Sequence, residues 1–397
     1  MMEYQARPFD METVFVKAKK QRTKKFRGMD LPLYTVIWPM IYAVRMFGFA
    51  PYDFMQDRLM PSNVYLIFTI IFVTLNSYIM YTVIENIMGV NQNDPILGGT
   101  ENSKVIFNNG VLMYELGLVM LTRRKFVSTW NALQDYDESV RQLGYPRKET
   151  RTAIVAWMLA IVITIIWVVV NRSGMYAFFE TWSYNMGYLL PYVGTSIALY
   201  KFVGMAFFLG QRFHHLNTIA MKTLPPASTK SKSATTLSRK TILSLHNDLM
   251  IAAENFESLY SWSLLLWLAN LCLHAVSNIY FIITWLLIQS WKDIFLPLIY
   301  CLGTWLVSFI YQLLLLSAAC DYASSQANCM APILIEWQVR LMKKNEEHTE
   351  SLLQFLNRRL NFSAGGCFYV NLPLLRSIAS LTTTYLVILL QFHGGDN

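Results

Sequence analysis

Five side chains, Trp267, Asn270, His274, Asn278 and Trp285, are spaced three, four, four and seven residues apart, one face of an α-helix that mixes aromatic and hydrogen-bonding groups. Such a face is unusual in hydrocarbon, so it is expected to turn inward. Tyr184, Tyr188 and Tyr192 descend a preceding helix at steps of four; Tyr300, Thr304, Trp305 and Ser308 face them from a following one, and Trp167 closes the set. Aromatic walls with a few fixed polar groups suit a small organic ligand of mixed polarity, including a sugar, whose C–H faces stack on rings while its hydroxyls hydrogen-bond. His274 and Asn278 are the leading contacts. The competing reading is an aromatic belt at the membrane interface, which fits Trp291 and Tyr176 better than the stripe.

Two ionisable groups fall inside apolar stretches. Glu115 sits in the middle of one and is a ligand-contact candidate, because burying a charge is costly without a purpose; Lys201 lies toward the inner end of another, from which it can snorkel. Enzymatic chemistry has no foothold. The sequence lacks His-Glu-x-x-His, the phosphate-binding loop, the dinucleotide glycine fingerprint, Cys-x-x-Cys and Gly-x-Ser-x-Gly. His214 and His215 are adjacent, about 100° apart on a helix, which disfavours a shared metal. No cofactor or metal is expected.

The elements that must position these groups are membrane helices. The chain has 397 residues, 54% hydrophobic and 15% charged, where a typical soluble domain is about 25% charged. Apolar stretches long enough to span a bilayer occupy 62–88, 106–121, 153–170, 187–209, 264–288, 294–319 and 372–392. Residues 31–50 form a weaker stretch, interrupted by Pro39, Arg45 and Gly48. The net charge of +8 sorts by segment: eight Lys and Arg before residue 31, seven in 123–151, six in 211–250 and five in 320–370, against one in each alternate connection. Cations gather on the cytoplasmic side. The surplus is thus a topology signal and calls for no nucleic acid. It places the N-terminus inside, makes 31–50 re-entrant or interfacial, and leaves a short tail, 393–397, outside.

The expected architecture is an all-α polytopic membrane protein: a basic cytoplasmic segment (1–30), a re-entrant or interfacial helix (31–61), six crossings with cytoplasmic extensions (62–322), cytoplasmic helices (323–370), and a last crossing with its tail (371–397). Ile242, Leu245, Leu249, Ala253, Phe256 and Tyr260 repeat at three to four residues and run on into the fifth crossing, after a Pro/Ser/Thr/Lys-rich loop at 224–238. Leu352, Leu356 and Leu360 form a second amphipathic stretch. None of the five cysteines is placed for an extracellular disulfide. Of two Asn-x-Ser sequons, Asn171 faces outward and is a possible glycosylation site, whereas Asn361 faces the cytosol.

The last crossing ends Thr384-Tyr385-Leu386-Val387-Ile388-Leu389-Leu390-Gln391-Phe392. Thr384, Tyr385, Gln391 and Phe392 match the Thr-Tyr, five apolar, Gln-Phe ending of insect gustatory receptors, and the chain resembles that family over nearly its whole length. The resemblance implies a tastant-gated cation channel in the plasma membrane of chemosensory neurons, a homotetramer or a heteromer with related receptors. It further implies a central pore passing Na+, K+ and Ca2+, lined by the outer part of the seventh helix, with a ligand pocket in each subunit and the inner extensions as a common anchor.

The residues fit a pore helix on their own. Ser377, Leu381, Thr384, Ile388 and Gln391 share one face. Ile388 and Phe392 would form a hydrophobic constriction that a modest rotation replaces with Gln391; the alternative is that Ser and Thr serve close helix packing and Phe392 anchors at the interface. The main sugar-receptor clade resembles this ending with Glu after Thr-Tyr, where this chain has Leu386. That leaves a divergent sugar receptor or a bitter, broadly tuned one. Competing classes are an odorant-type channel, a G-protein-coupled receptor, whose Asp-Arg-Tyr and Asn-Pro-x-x-Tyr motifs are missing, and a transporter, which the missing internal repeat disfavours.

Overall fold

Length divides the helices of this protein into two groups. The computed structural model describes residues 33–55, 58–90, 95–147, 149–178, 182–223, 239–288, 296–341 and 358–394. Six helices are long and apolar enough to cross a membrane: α2 (Asn63–Val90), α3 (Pro95–Gln142), α4 (Thr150–Phe178), α5 (Trp182–Thr223), α6 (Arg239–Ile288) and α7 (Leu296–Asn328). The 48 residues of α3 and the 50 of α6 reach about 72 and 75 Å, more than twice a bilayer core of about 30 Å. The connection at 123–151 is therefore mostly an extension of α3, and α6 carries the 242–260 repeat as one unbroken helix. All six residues of that repeat, Ile242, Leu245, Leu249, Ala253, Phe256 and Tyr260, are buried.

The N-terminal helix α1 (Leu33–Met46) has only 14 residues, about 21 Å, too short to span. It stops at Gly48, whose φ of 76° suits the left-handed position that ends a helix. The Gly48 and Phe49 amides donate to the Arg45 and Val44 carbonyls at 3.0 and 2.9 Å. The chain then turns back as a hairpin, β1 (Tyr52–Met55) antiparallel to β2 (Arg58–Pro61), with Phe54 opposite Leu59. Arg45, which interrupts the apolar run in sequence, donates to Asp53 at 2.9 Å and lies 4.3 Å from the Tyr65 ring centre. Asn131 on α3 bonds both the amide and the carbonyl of Leu59 at 3.0 Å, satisfying a strand edge that would otherwise be unpaired. This hairpin corrects the all-helical expectation for 31–61.

Helix α5 is the axis of the bundle. Within its apolar span 83% of the residues are buried, against 22 to 44% for the other five. It packs on α3, α4, α6 and α7 and also touches α1 and α2. Its polar side chains find partners on these neighbours: Ser196 donates to Gln312 on α7 at 2.9 Å, and Lys201 donates to the Phe49 carbonyl at 3.0 Å. Lys201 is thus buried and bonded, not snorkelling as the sequence suggested. Toward its C-terminal end Arg212 is paired with Asp137 of α3 and stacks on Phe208, which itself stacks on Trp130. Beside this pair Arg147 binds Glu149 at 2.8 Å and Gln211 at 3.3 Å.

After α7, α8 (Met330–Leu341) follows. Leu352 and Leu356 lie outside the described residues, as do 1–30, 224–238 and the end of the tail. Leu360 is buried but lies outside any helix. It leads into a second hairpin, β3 (Ser363–Ala364) with β4 (Phe368–Tyr369), clasped to α6 by bonds between Ser261 and both the Gly365 amide and the Ser363 carbonyl, each 2.9 Å. The last helix, α9 (Leu372–Gly394), rests on α6 and α7 through Leu374, Leu375, Ile378 and Leu386.

Candidate functional site

Four helices bring the aromatic and polar stripes together in one cluster. Trp305 of α7 is at its centre, with ring centres 4.9 Å from Tyr192, 6.1 Å from Tyr188 and 5.7 Å from Trp167. His274 of α6 meets Tyr192 edge-on at 5.2 Å and stacks on Phe309 at 4.6 Å. Edge-on and offset pairs of this kind each add about 0.5–1.5 kcal/mol beyond the area they bury. The i, i+4 steps Tyr188–Tyr192 and Trp305–Phe309 put each pair on one helical face, which is why the faces of α5 and α7 meet here.

Polar atoms line the same place. Asn270 donates to Asn108 of α3 at 2.9 Å, and with Tyr192, Phe309 and Gln312 it bounds a void of about 10 Å³, room for no more than about one water. The Trp167 and Trp267 indole nitrogens, the Asn270 carbonyl oxygen, His274 Nε2 and the Ser277 hydroxyl have no hydrogen-bond partner among the described residues. Buried polar atoms without partners are uncommon and each one calls for an explanation. Four of these five atoms lie on α6.

The remaining predicted residues divide. Asn278 is buried on the His274 face. Thr304 shares a 2.7 Å hydrogen bond with Ser173 that ties α7 to α4, whereas Ser308 donates to the Trp305 carbonyl of its own helix. Trp267 packs inward on Phe202 and Tyr260. Trp285 is three turns beyond His274 and makes no ring contact among the described residues, and Tyr300 is exposed. The Tyr184 side chain and Trp291 lie outside the described set. Glu115 is buried beside Ser263 and within electrostatic reach of Lys201, three turns of α6 below His274, so it belongs to another level of the bundle. Asn171 is helical, and its carboxamide oxygen accepts from Asn185 at 2.6 Å. Phe309, Asn108 and Gln312 escaped the sequence reading. Phe309, one turn past Trp305, was legible from spacing, whereas Asn108 and Gln312 have no signal short of the packing.

On α9 the stripe Ser377, Leu381, Thr384, Ile388 and Gln391 is exposed throughout, while Leu386 on the opposite face is buried. Thr384 donates to the Ser380 carbonyl of its own helix. The Phe392 side chain lies outside the described set.

A family profile described as 7tm chemosensory receptor matches residues 38–393. Gustatory receptor 2a of Drosophila melanogaster is 32% identical over 164 residues, 35% of this chain and 37% of that one. Gustatory and pheromone receptor 32a of the same fly is 35% identical over 92 residues, 22% of this chain and 19% of its own. The aligned segments thus span well under half of either relative. The structure of the insect olfactory receptor OR5 from Machilis hrabei superposes with a TM-score of 0.65, covering 91% of this chain and 98% of that one at 17% identity. Its complex with eugenol gives 0.66 over the same shares, at 16% identity.

Proposed function

From the premise that this chain belongs to the 7tm chemosensory receptor family, we propose that it is a gustatory-type receptor, a non-selective cation channel opened by a small organic tastant. The observation that carries this reading is the cluster around Trp305, where four helices converge on unpartnered buried polar atoms. A ligand displaces Tyr192 or Trp305 and supplies the missing bonds to His274 and Asn270. It thereby changes how α6 and α7 hold α9, which rests on both. Asn278 and Trp167 complete the contact set.

The assembly is a tetramer, of this chain or with related receptors, in the plasma membrane of chemosensory neurons. It has seven crossings, the N-terminus inside and the C-terminus outside. The exposed stripe of α9 lines the pore through which Na+, K+ and Ca2+ pass, with Ile388, Gln391 and Phe392 as the gate and Thr384 below it. No acidic ring lies in this stripe, so discrimination among cations is weak. Leu386 in place of Glu, turned into the bundle, favours a ligand outside the ordinary sugar class. An odorant-type ligand is the second reading, favoured by the fold shared with an olfactory receptor whose eugenol complex is solved.

The test is expression of the chain alone, with calcium imaging against sugars, bitter alkaloids, amino acids and eugenol. A ligand-evoked response without added G protein is expected, and its ligand class separates the two readings. Saturable substrate uptake without conductance, or a response that requires a G protein, would overturn the channel.

A further inference from the structure

A second cavity, of about 100 Å³, lies between α1, the first hairpin, α3, α4 and α5. Its α5 wall begins at Tyr200, eight residues from Tyr192, about 12 Å at the helical rise, and it shares no lining residue with the small void beside the Trp305 cluster. Its walls are apolar: Ile37, Ile41 and Val44 from α1 meet Val155, Ala156 and Leu159 from α4. On the outer side of this seam Trp38 packs edge-on against Trp157, ring centres 5.9 Å apart.

Two features of α5 set this cavity apart from a packing defect. A methyl group built on Gly204, in the cavity wall, meets no atom within 4 Å. Glycine is disfavoured inside a helix relative to alanine, and no neighbour within the chain requires it here, so its effect is to keep the space open. The second feature is Lys201, also in the wall. Its ammonium gives one hydrogen bond, to the Phe49 carbonyl, and sits 4.3 Å from the Phe126 ring centre, but has no carboxylate within ion-pair distance among the described residues. An ammonium has three donors; Glu115 acts on this one through space without an ion pair, so two of its donors have no acceptor among the described residues. An apolar chamber with an under-bonded cation in its wall is a chemical description of a ligand.

We infer that this cavity is a second ligand site, taking a compact apolar molecule with one oxygen acceptor, best a carboxylate, on Lys201. At about 100 Å³ the cavity is smaller than the apolar void of about 150 Å³ that holds benzene, so the occupant is a short, slender chain. Lys201 already ties α5 to the corner between α1 and the hairpin. An occupant bonded to it bridges α4 and α5 to that corner and modulates the receptor from a place the tastant does not touch.

Purified receptor is probed with pentanoate, 1-pentanol and pentylamine, which share one chain and differ in head group, by the rise in unfolding temperature and by calorimetric titration. Pentanoate is expected to bind tightest and pentylamine weakest. Lys201→Met should weaken pentanoate at least tenfold while leaving pentanol within about twofold. Gly204→Leu, or Ala156→Leu if the first variant does not fold, should abolish binding of both, whereas His274→Ala should change neither. Equal binding of the three head groups, or pentanoate binding that survives Lys201→Met and the filled cavity, would overturn the site.

Discussion

Helices α5 and α9 are both apolar, yet one is enclosed by its own chain and the other is covered on one side only. Polar groups on α5 reach across to neighbours, Ser196 to Gln312, Lys201 to Phe49 and Arg212 to Asp137. On α9, Thr383 and Thr384 bond only the Ala379 and Ser380 carbonyls of their own helix, and Leu381 is 71% exposed. A hydroxyl that turns back on its own helix leaves that face free of partners within the chain. The difference separates two roles: α5 organises the single chain, and α9 keeps an open face, where the proposed assembly would complete it.

The contrast can be broken most severely at Arg212. Arg212→Ala leaves the partly buried Asp137 without its ion-pair partner and empties a fully buried site, a loss of up to about 3 kcal/mol, and folded receptor should fall sharply in fluorescence-detected size-exclusion profiles; a normal profile would mean α5 is not the axis. Next is Phe392→Ala, expected to give ligand-independent current at normal surface expression, and a silent but correctly trafficked variant would remove Phe392 from the gate. Leu381→Ser sharpens the comparison, because substitutions away from intrachain contacts change folding by within about 0.5 kcal/mol. The chain should still fold but elute with less tetramer, and unaltered assembly would place the subunit contact elsewhere.

The smallest effect is a pH dependence at the α3–α4 corner, outside the membrane spans. Burial alone would raise the Glu149 carboxyl, but the hydrogen bond and charge of Arg147 hold it below the usual carboxylate range. A depressed carboxylate contributes stability above its unfolded pKa and loses it as pH falls through the folded one. Unfolding temperature should therefore drop on the acid side of the carboxylate range, and Glu149→Gln should flatten that drop; equal acid sensitivity in the variant would assign it to other groups.

Much of this was legible in the sequence because bilayer length and helical period are strong signals. Tyr192, His274 and Trp305, one from each stripe of α5, α6 and α7, come into ring contact, and the stripe of α9 is exposed within the chain. The hairpins were not legible: four-residue strands beside Pro51 and Pro61 have too little alternation to register, and Asn131 that binds Leu59 is 72 residues away. Glu115 shows the limit of reading charge. Its type signalled burial correctly, but only packing reveals that it sits at the level of Lys201 rather than His274. Trp285 shares the helical phase of His274, yet three turns of rise remove it from the cluster, and Tyr300, five residues before Trp305, turns outward.

The central claim is that the Trp305 cluster receives the molecule that opens the channel. The most direct measurement is a current dose–response in cells expressing this chain alone, comparing the parent with His274→Ala at matched surface density. The account predicts a half-maximal concentration raised by roughly tenfold, equivalent to about 1.4 kcal/mol, with maximal current retained. An unchanged dose–response would contradict it and move the ligand away from the cluster.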